Sequence, residues 1–273
     1  MNNMLIRRHG NTPYLAFPSL EETGLVHHGF SVREGGVSPG PYASMNLSFT
    51  MGDSNENVLE NYDRMAQALE VELSQMTSVW QAHTNQVKRV DASDVGKGII
   101  RPKDPEEIDG MVTNLRGVTL VTLHADCLPL YFLDPANNAI GLAHSGWRGT
   151  KQAIGIKTLE AMEQAFGSRL EDLLVCIGPG IGRTAFEVGP EVAEAFVELL
   201  GAKRASDVLM PLQLGTSMLD LTLANEMLFL EAGIRPDHLY SADLCTYSRP
   251  DLFFSHRRDG SARGSMAAFL SLK

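Results

Sequence analysis

The stretch VTLVTLHADCLPLYFLDPANNAIGLAHSGWRGT, residues 118–150, decides how this chain is read. It holds three short apolar runs rich in β-branched residues, 118–123, 129–133 and 139–143, separated by turn residues such as Asp134-Pro135 and Asn137-Asn138. Runs of that length bounded by turn signals predict strands. Cys127 lies between the first two runs and His144 closes the third. Ser145-Gly146-Trp147-Arg148-Gly149 then forms a glycine-bracketed loop carrying a cation, after which a helical pattern begins. A sulfur, an imidazole and a basic loop at predicted strand ends place chemistry at the edge of a sheet.

Working outward, Asp53 and Glu56 match a capping-box spacing, with Val58, Tyr62, Met65 and Leu69 following on one face, which predicts a helix over 54–70. Strands are expected at 77–81 and 86–90, with His83 at a strand end or in the turn between them. The glycine- and proline-rich segment 31–46 reads as a long loop in which Arg33, Tyr42 and Asn46 could bind a ligand, and 91–107 reads as a solvated loop. Asp109 is the carboxylate nearest the central stretch on its N-terminal side. Downstream, Thr150 is expected to cap a helix to Phe166 that Gly167 stops. A strand at 173–177 carries Cys176 as a core thiol, and Gly178–Arg183 is a second glycine-rich loop with a cation. Pro190 opens a helix to Leu200, 201–218 reads as irregular, Asp220 caps a helix to Ala232, and 266–270 is a closing apolar run. Together these predict one domain over 1–273 of mixed α/β (α+β) class.

With 44% hydrophobic and 21% charged residues in 273, the chain has an ordinary globular composition and can bury a large core. A net charge of -10 argues against nucleic acid or anionic membrane as the main partner. Three cysteines without paired spacing fit free thiols in a reducing compartment. The N-terminus shows no signal-peptide pattern and nothing approaches a membrane span, so the cytoplasm is the expected location.

His83, Cys127 and His144 together offer a thiolate and two imidazoles, a donor set suited to zinc and also to copper. Three protein ligands with an open fourth position is the catalytic pattern, in which a metal lowers the pKa of water or acts as a Lewis acid. The same atoms admit another use: Cys127 as nucleophile, a histidine as base and Asp109 or Asp126 as orienter would make a cysteine hydrolase. Separations of 44 and 17 residues match no compact zinc-finger pattern, so spacing does not choose between them. Strand, glycine loop with Arg148, then helix start is a geometry that holds anions, though it is not a Walker sequence.

Seven segments then carry a resemblance: HGFSVREGGVSPGPYASMNL (28–47), GDSNENVLENYDR (52–64), QAHTNQV (81–87), ADCLPLYFLDP (125–135), AHSGWRGT (143–150), IGPGIGRTAFEVG (177–189) and FFSHRRDG (253–260). In this order, over nearly the whole chain, they resemble the laccase-domain family, also called the polyphenol oxidase or peptidoglycan-editing-factor family. Its bacterial members are most like purine nucleoside phosphorylases with adenosine deaminase activity.

The resemblance implies a four-layer α-β-β-α sandwich with mixed sheets and metal ligands at His83, Cys127 and His144. It also implies zinc-dependent phosphorolysis of adenosine, inosine, guanosine and methylthioadenosine to free base and ribose 1-phosphate. Within that reading Arg33, Asn46 and Arg148 are expected to contact substrate, and Asp109 to transfer a proton. The partners expected are purine nucleosides and phosphate, in a monomer or homodimer. The chain departs from the family pattern at His124, where threonine is common, which raises the question of a fourth metal ligand; Ser145 replaces a frequent alanine. Copper-dependent polyphenol oxidation, cysteine amidase action on cell-wall peptides and a non-catalytic binding role are the competing classes.

Overall fold

In the strand Leu128–Asp134 every residue is buried, and alternate side chains go to different layers. Leu128, Leu130 and Phe132 pack with Ile154, Leu159, Met162 and Phe229, which come from helices. Tyr131 and Leu133 pack with Leu120, Ala268 and Leu270 of a second sheet. The strand Met266–Leu272 does the same on the other side: Ala268 and Leu270 face inward, whereas Ala267 and Phe269 meet Val58, Tyr62 and Met65. Because side chains alternate along a strand, two apolar faces on two sheets require covers on both outsides. The result is the expected order of helix, sheet, sheet, helix. Each Leu or Phe fully buried here contributes about 1.5–3 kcal/mol.

The computed structural model describes residues 4–273. One six-stranded sheet runs in the order Leu5–His9, Thr12–Ala16, Val26–Ser31, Met266–Leu272, Thr119–His124, Met76–Ser78. The other runs Leu239–Ser241, Leu174–Ile177, Leu128–Asp134, Ala139–Ser145, Gly110–Thr113, Val87–Arg89. Both are mixed: pairing is antiparallel except where Met76–Ser78 joins Thr119–His124, Leu174–Ile177 joins Leu239–Ser241 and Val87–Arg89 joins Gly110–Thr113. Among the described residues no helix is long and apolar enough to cross a membrane.

The helix Asn55–Leu69 forms where periodicity predicts it, but its cap is Ser54, whose side chain accepts from the Asn57 amide. Asp53 instead accepts from the Ser54 amide and the Asn57 side chain. The helix expected from Thr150 to Phe166 is two helices, Trp147–Lys151 and Ile154–Phe166, broken at Ala153 with φ 57°. Thr150 is not a cap there: its hydroxyl pairs with Ser145 and Asn225 inside the fold. The segment 201–218, expected to be irregular, contains the helix Ala202–Val208 and the strands Leu209–Pro211 and Ser217–Leu219. These strands, together with Glu187–Val188, form a small third sheet. Strands of two or three residues are too short to show a period of two.

The strands expected at 77–81 and 86–90 are Met76–Ser78 and Val87–Arg89, and they belong to different sheets. The intervening residues therefore cross from one sheet to the other. A second crossing, 125–127, links Thr119–His124 to Leu128–Asp134.

Candidate metal centre

Ile140 and Leu142 face the layer between the sheets, so the period of two puts His144 at the end of that same face. From the opposite sheet Leu120 faces the layer, and His124 follows at the same parity. The rings of His124 and His144 lie 5.3 Å apart at this end of the layer. The two inter-sheet crossings close over it: Cys127 follows Asp126 at φ 90°, and His83 sits in the other crossing at φ 62°. One ligand atom from each of His83, Cys127 and His144 lies within 4.8 Å of the others, and Cys127 Sγ is 3.8 Å from His83 Nε2.

Asp109 holds this arrangement from behind. Its Oδ1 accepts from His144 Nδ1 at 2.7 Å. Its Oδ2 accepts from the amides of Ala82 and Thr84 and from the Thr84 hydroxyl at 3.1, 2.7 and 3.1 Å. The buried carboxylate thus fixes the His144 ring and the backbone on both sides of His83, and leaves Nε2 of His144 for the cleft. No oxygen of Asp109 faces the cleft, so it positions His144 and is not placed to move a proton on a substrate. Burial raises the Asp109 carboxyl pKa, but the His144 ring and the two amides outweigh it and hold it below the usual range. Cys127 and His144 are coupled. Burial opposes charge on both, yet the two histidines pull the thiol down and the thiolate with Asp109 pushes the His144 imidazole up. A metal bound here would compete with the proton that these shifts favour on His144.

Gly146 is required here for space. A Cβ at this position would lie 2.7 Å from Cys127 Sγ and 3.1 Å from His83 Cδ2. His124 is not a fourth ligand, since both ring nitrogens are in use. The Cys127 carbonyl can only accept, so Nδ1 donates to it at 3.0 Å, and Nε2 accepts from the Thr122 hydroxyl at 2.8 Å. Asp126 orients no histidine: it accepts from the Thr246 hydroxyl and the Arg257 amide. One soft sulfur and two imidazole nitrogens that converge with no bulk between them fit zinc or copper.

The centre lies at the floor of a cleft of about 1190 Å³. Phe49, Trp80, Trp147 and Phe186 supply aromatic walls, and Lys103, Arg148, Arg257 and Arg263 supply cations. Arg148 is exposed, with its guanidinium 4.3 Å over the Trp147 ring. Two residues expected at the substrate are not in the cleft. Arg33 donates to the Ala43 and Pro250 carbonyls and lies 4.7 Å over Phe254, so it closes its own loop. Asn46 is fully buried: its amide donates to Ser48 and Asp53, and its oxygen accepts from the Ser48 and Ser265 amides. It stands behind Ser48 and Ser265, which do line the cleft. Sequence reasoning missed Trp80, Phe186 and Arg263. Arg257 lines the cleft, while Arg258 pairs with Asp259 at 2.7 Å and donates to the Phe253 carbonyl. The paired basic residues carried the only signal.

Residues 27–273 match the family described as multi-copper polyphenol oxidoreductase laccase. Purine nucleoside phosphorylase YlmD of Bacillus subtilis is 33% identical over 247 residues, covering 90% of this chain and 88% of that protein. A purine nucleoside phosphorylase of Bacteroides thetaiotaomicron is 34% identical over 251 residues, covering 92% and 93%. Among solved structures, YlmD of Geobacillus stearothermophilus superposes with a TM-score of 0.90 at 30% identity over 99% of both chains. The hypothetical protein YfiH of Bacillus licheniformis gives 0.92 at 29% identity over 98% and 99%. With its sheets, crossings and ligand trio in place, this chain belongs to the multi-copper polyphenol oxidoreductase laccase family.

Proposed function

We propose that this protein is a zinc-dependent purine nucleoside phosphorylase with adenosine deaminase activity, working in the cytoplasm. The observation that carries this reading is the convergence of His83, Cys127 and His144 at the floor of a cleft walled by aromatic rings and guanidinium groups. Its relatives in Bacillus subtilis and Bacteroides thetaiotaomicron, both purine nucleoside phosphorylases, support it. A cleft of about 1190 Å³ leaves room for a nucleoside and an anion together, since small-ligand pockets are roughly 300–1,000 Å³. Trp80, exposed in the cleft, offers a flat face for a purine ring, and the cations of the cleft offer charge to a phosphate.

In phosphorolysis a phosphate oxygen bonds to the ribose anomeric carbon as the bond to the purine nitrogen breaks. The bonding pair leaves with the base, which takes up a proton, and ribose 1-phosphate and free purine result. The residues of the cleft hold the anion beside the sugar and keep the reactants in line. Deamination exchanges the purine amino group for an oxygen from water and releases ammonia. When bound, the ion supplies a Lewis acid for a water or a substrate oxygen. Adenosine, inosine, guanosine and methylthioadenosine are the substrates proposed. The described residues hold one three-ligand group of this kind, which speaks for a single ion and against a multi-copper cluster.

The test is product analysis of zinc-loaded protein with adenosine and inosine, with and without phosphate, beside Cys127→Ala. Phosphate-dependent release of purine and ribose 1-phosphate, lost in the variant, is expected, as is inosine formed from adenosine without phosphate. Absence of turnover of either nucleoside with zinc bound would overturn the reading. An acyl-enzyme on Cys127 with cell-wall peptides would then establish the amidase.

A further inference from the structure

Lys103 is the single lysine that lines the cleft among the described residues, and the protein gives its ammonium nothing to pair with. Its nearest counterparts are used differently. Lys88 and Lys97 each meet both Asp94 and Asp104, at 2.7 or 2.9 Å. Those two carboxylates are thereby committed. Lys103 makes no ion pair and no side-chain hydrogen bond among the described residues, although its side chain is partly buried. Burial alone works on its charge and lowers its pKa; no carboxylate or arginine lies near enough to act on it. Nor is the ammonium sealed off, since the buried polar atoms left without a partner include Ser78 Oγ and Arg263 Nε but not Lys103 Nζ.

The wall that carries Lys103 is fixed on both sides of it. Before it, the Gly96 carbonyl accepts from the amides of Ile99, Ile100 and Arg101, and the Lys97 carbonyl accepts from the Ser78 amide at 2.8 Å. Arg101 Nη1 donates to the Ser93 and Val95 carbonyls at 3.1 and 2.8 Å. After it, Asp104 is held between Lys88 and Lys97. The Lys103 stem folds back over Gly98, where a Cβ would lie 3.0 Å from Lys103 Cε and 2.7 Å from the Ser78 carbonyl oxygen. The cation therefore stands by the edge strand Met76–Ser78, whereas Arg148 follows Gly146 and the Arg257 amide is bound to Asp126. A partly buried cation without a counter-charge is stabilised by an anion from solution. Lysine, a compact point charge with three donors, suits a phosphoryl oxyanion. We propose that Lys103 is a second anion position of the cleft, apart from its arginines, and takes a phosphoryl group, carried by a nucleoside 5′-phosphate or free as phosphate. That the carrier is a purine nucleoside rests on the phosphorylase reading; the anion position does not.

The experiment is calorimetry on zinc-loaded wild type, Lys103→Gln, Lys103→Met and, as a surface control, Lys203→Gln. Each is titrated with inosine, inosine 5′-monophosphate and inorganic phosphate, and its melting is recorded. Loss of one charge-assisted contact predicts inosine 5′-monophosphate binding weakened about tenfold in both Lys103 variants. Inosine, which carries no charge, is expected to stay within about twofold of wild type, as is Lys203→Gln throughout. Inorganic phosphate weakened in parallel upholds the position with free phosphate as a ligand; phosphate unchanged upholds it for the nucleotide. Both phosphates bound as tightly by the two Lys103 variants as by wild type, with wild-type melting, would overturn the proposal, as would wild type that binds neither. An equal loss of inosine and its monophosphate would make Lys103 a contact for the uncharged nucleoside and overturn it too. If wild type turns over no nucleoside, the phosphorylase reading falls, and the two phosphate titrations still decide the position.

Discussion

Replacing Asp109 by asparagine exchanges one carboxylate oxygen for an NH2 group and removes a negative charge at the candidate metal centre while keeping the shape of the side chain. Three donors converge on Oδ2, two of them backbone amides, so the asparagine oxygen must take that place. The opposite orientation would set an NH2 against two N–H groups, each left unsatisfied at about 1–3 kcal/mol. The new NH2 therefore faces Nδ1 of His144, where the carboxylate accepted a hydrogen bond at 2.7 Å. Nδ1 must now accept, and the ring proton moves to Nε2, the nitrogen left for a metal. Binding an ion then requires the proton to return to Nδ1 against another donor. Loss of such a supporting carboxylate lowers metal affinity by about 10–100-fold, or roughly 1.4–2.7 kcal/mol. The loop that carries His83 keeps its contacts, so the whole effect falls on His144; Asp109→Ala releases both and should lose more. A competition titration of zinc against a chromophoric chelator reads the dissociation constant, and thermal melting confirms the fold. A zinc affinity within about twofold of wild type in folded Asp109→Asn would refute the reasoning.

Gly146→Ala puts a methyl group 2.7 Å from Cys127 Sγ, so zinc per chain and phosphorolysis should both fall, by about tenfold or more, while the melting temperature changes little; full zinc occupancy would contradict this. Cysteine alkylation at pH 7.5 should separate the thiols. Burial pushes Cys176 up to about 12, which keeps it protonated and unreactive. Cys127, held down by His144 and His83 against its burial, should react in metal-stripped protein and be protected by zinc, as peptide mass mapping would show. Rapid labelling of Cys176 in folded protein would refute the assignment.

The central strands were legible because their own residues declare them. The runs at 118–123, 129–133 and 139–143 appear as Thr119–His124, Leu128–Asp134 and Ala139–Ser145, since a strand buried on both faces is apolar without interruption. Which sheet each strand joins was not legible. The pieces around His83 read as neighbours, yet Met76–Ser78 pairs with Thr119–His124 and Val87–Arg89 with Gly110–Thr113. That choice is made by partners far along the chain. The small sheet of Glu187–Val188, Leu209–Pro211 and Ser217–Leu219 escaped for the same reason, its strands being too short to carry a pattern of their own.

The site divides along a similar line. His83, Cys127 and His144 could be singled out because few side chains offer soft or imidazole donors, whereas Arg33 and Asn46 could not be told from structural residues. An arginine or asparagine in a glycine-rich loop serves equally to bind a ligand or to satisfy the loop's own backbone, and here both do the latter. The centre therefore depends on the packing of the two sheets. His144 ends a strand of one, Cys127 and His83 lie in the crossings between them, and Asp109 ties His144 to the crossing that holds His83. A relative shift of the sheets would pull on the crossings that carry Cys127 and His83, which are held to His144 through the pairing of Leu128 with Ser145 and through Asp109. The layer of Leu120, Tyr131, Ile140, Leu142 and Leu270 between the sheets is thus what sets the ligand geometry, as much as the ligands themselves.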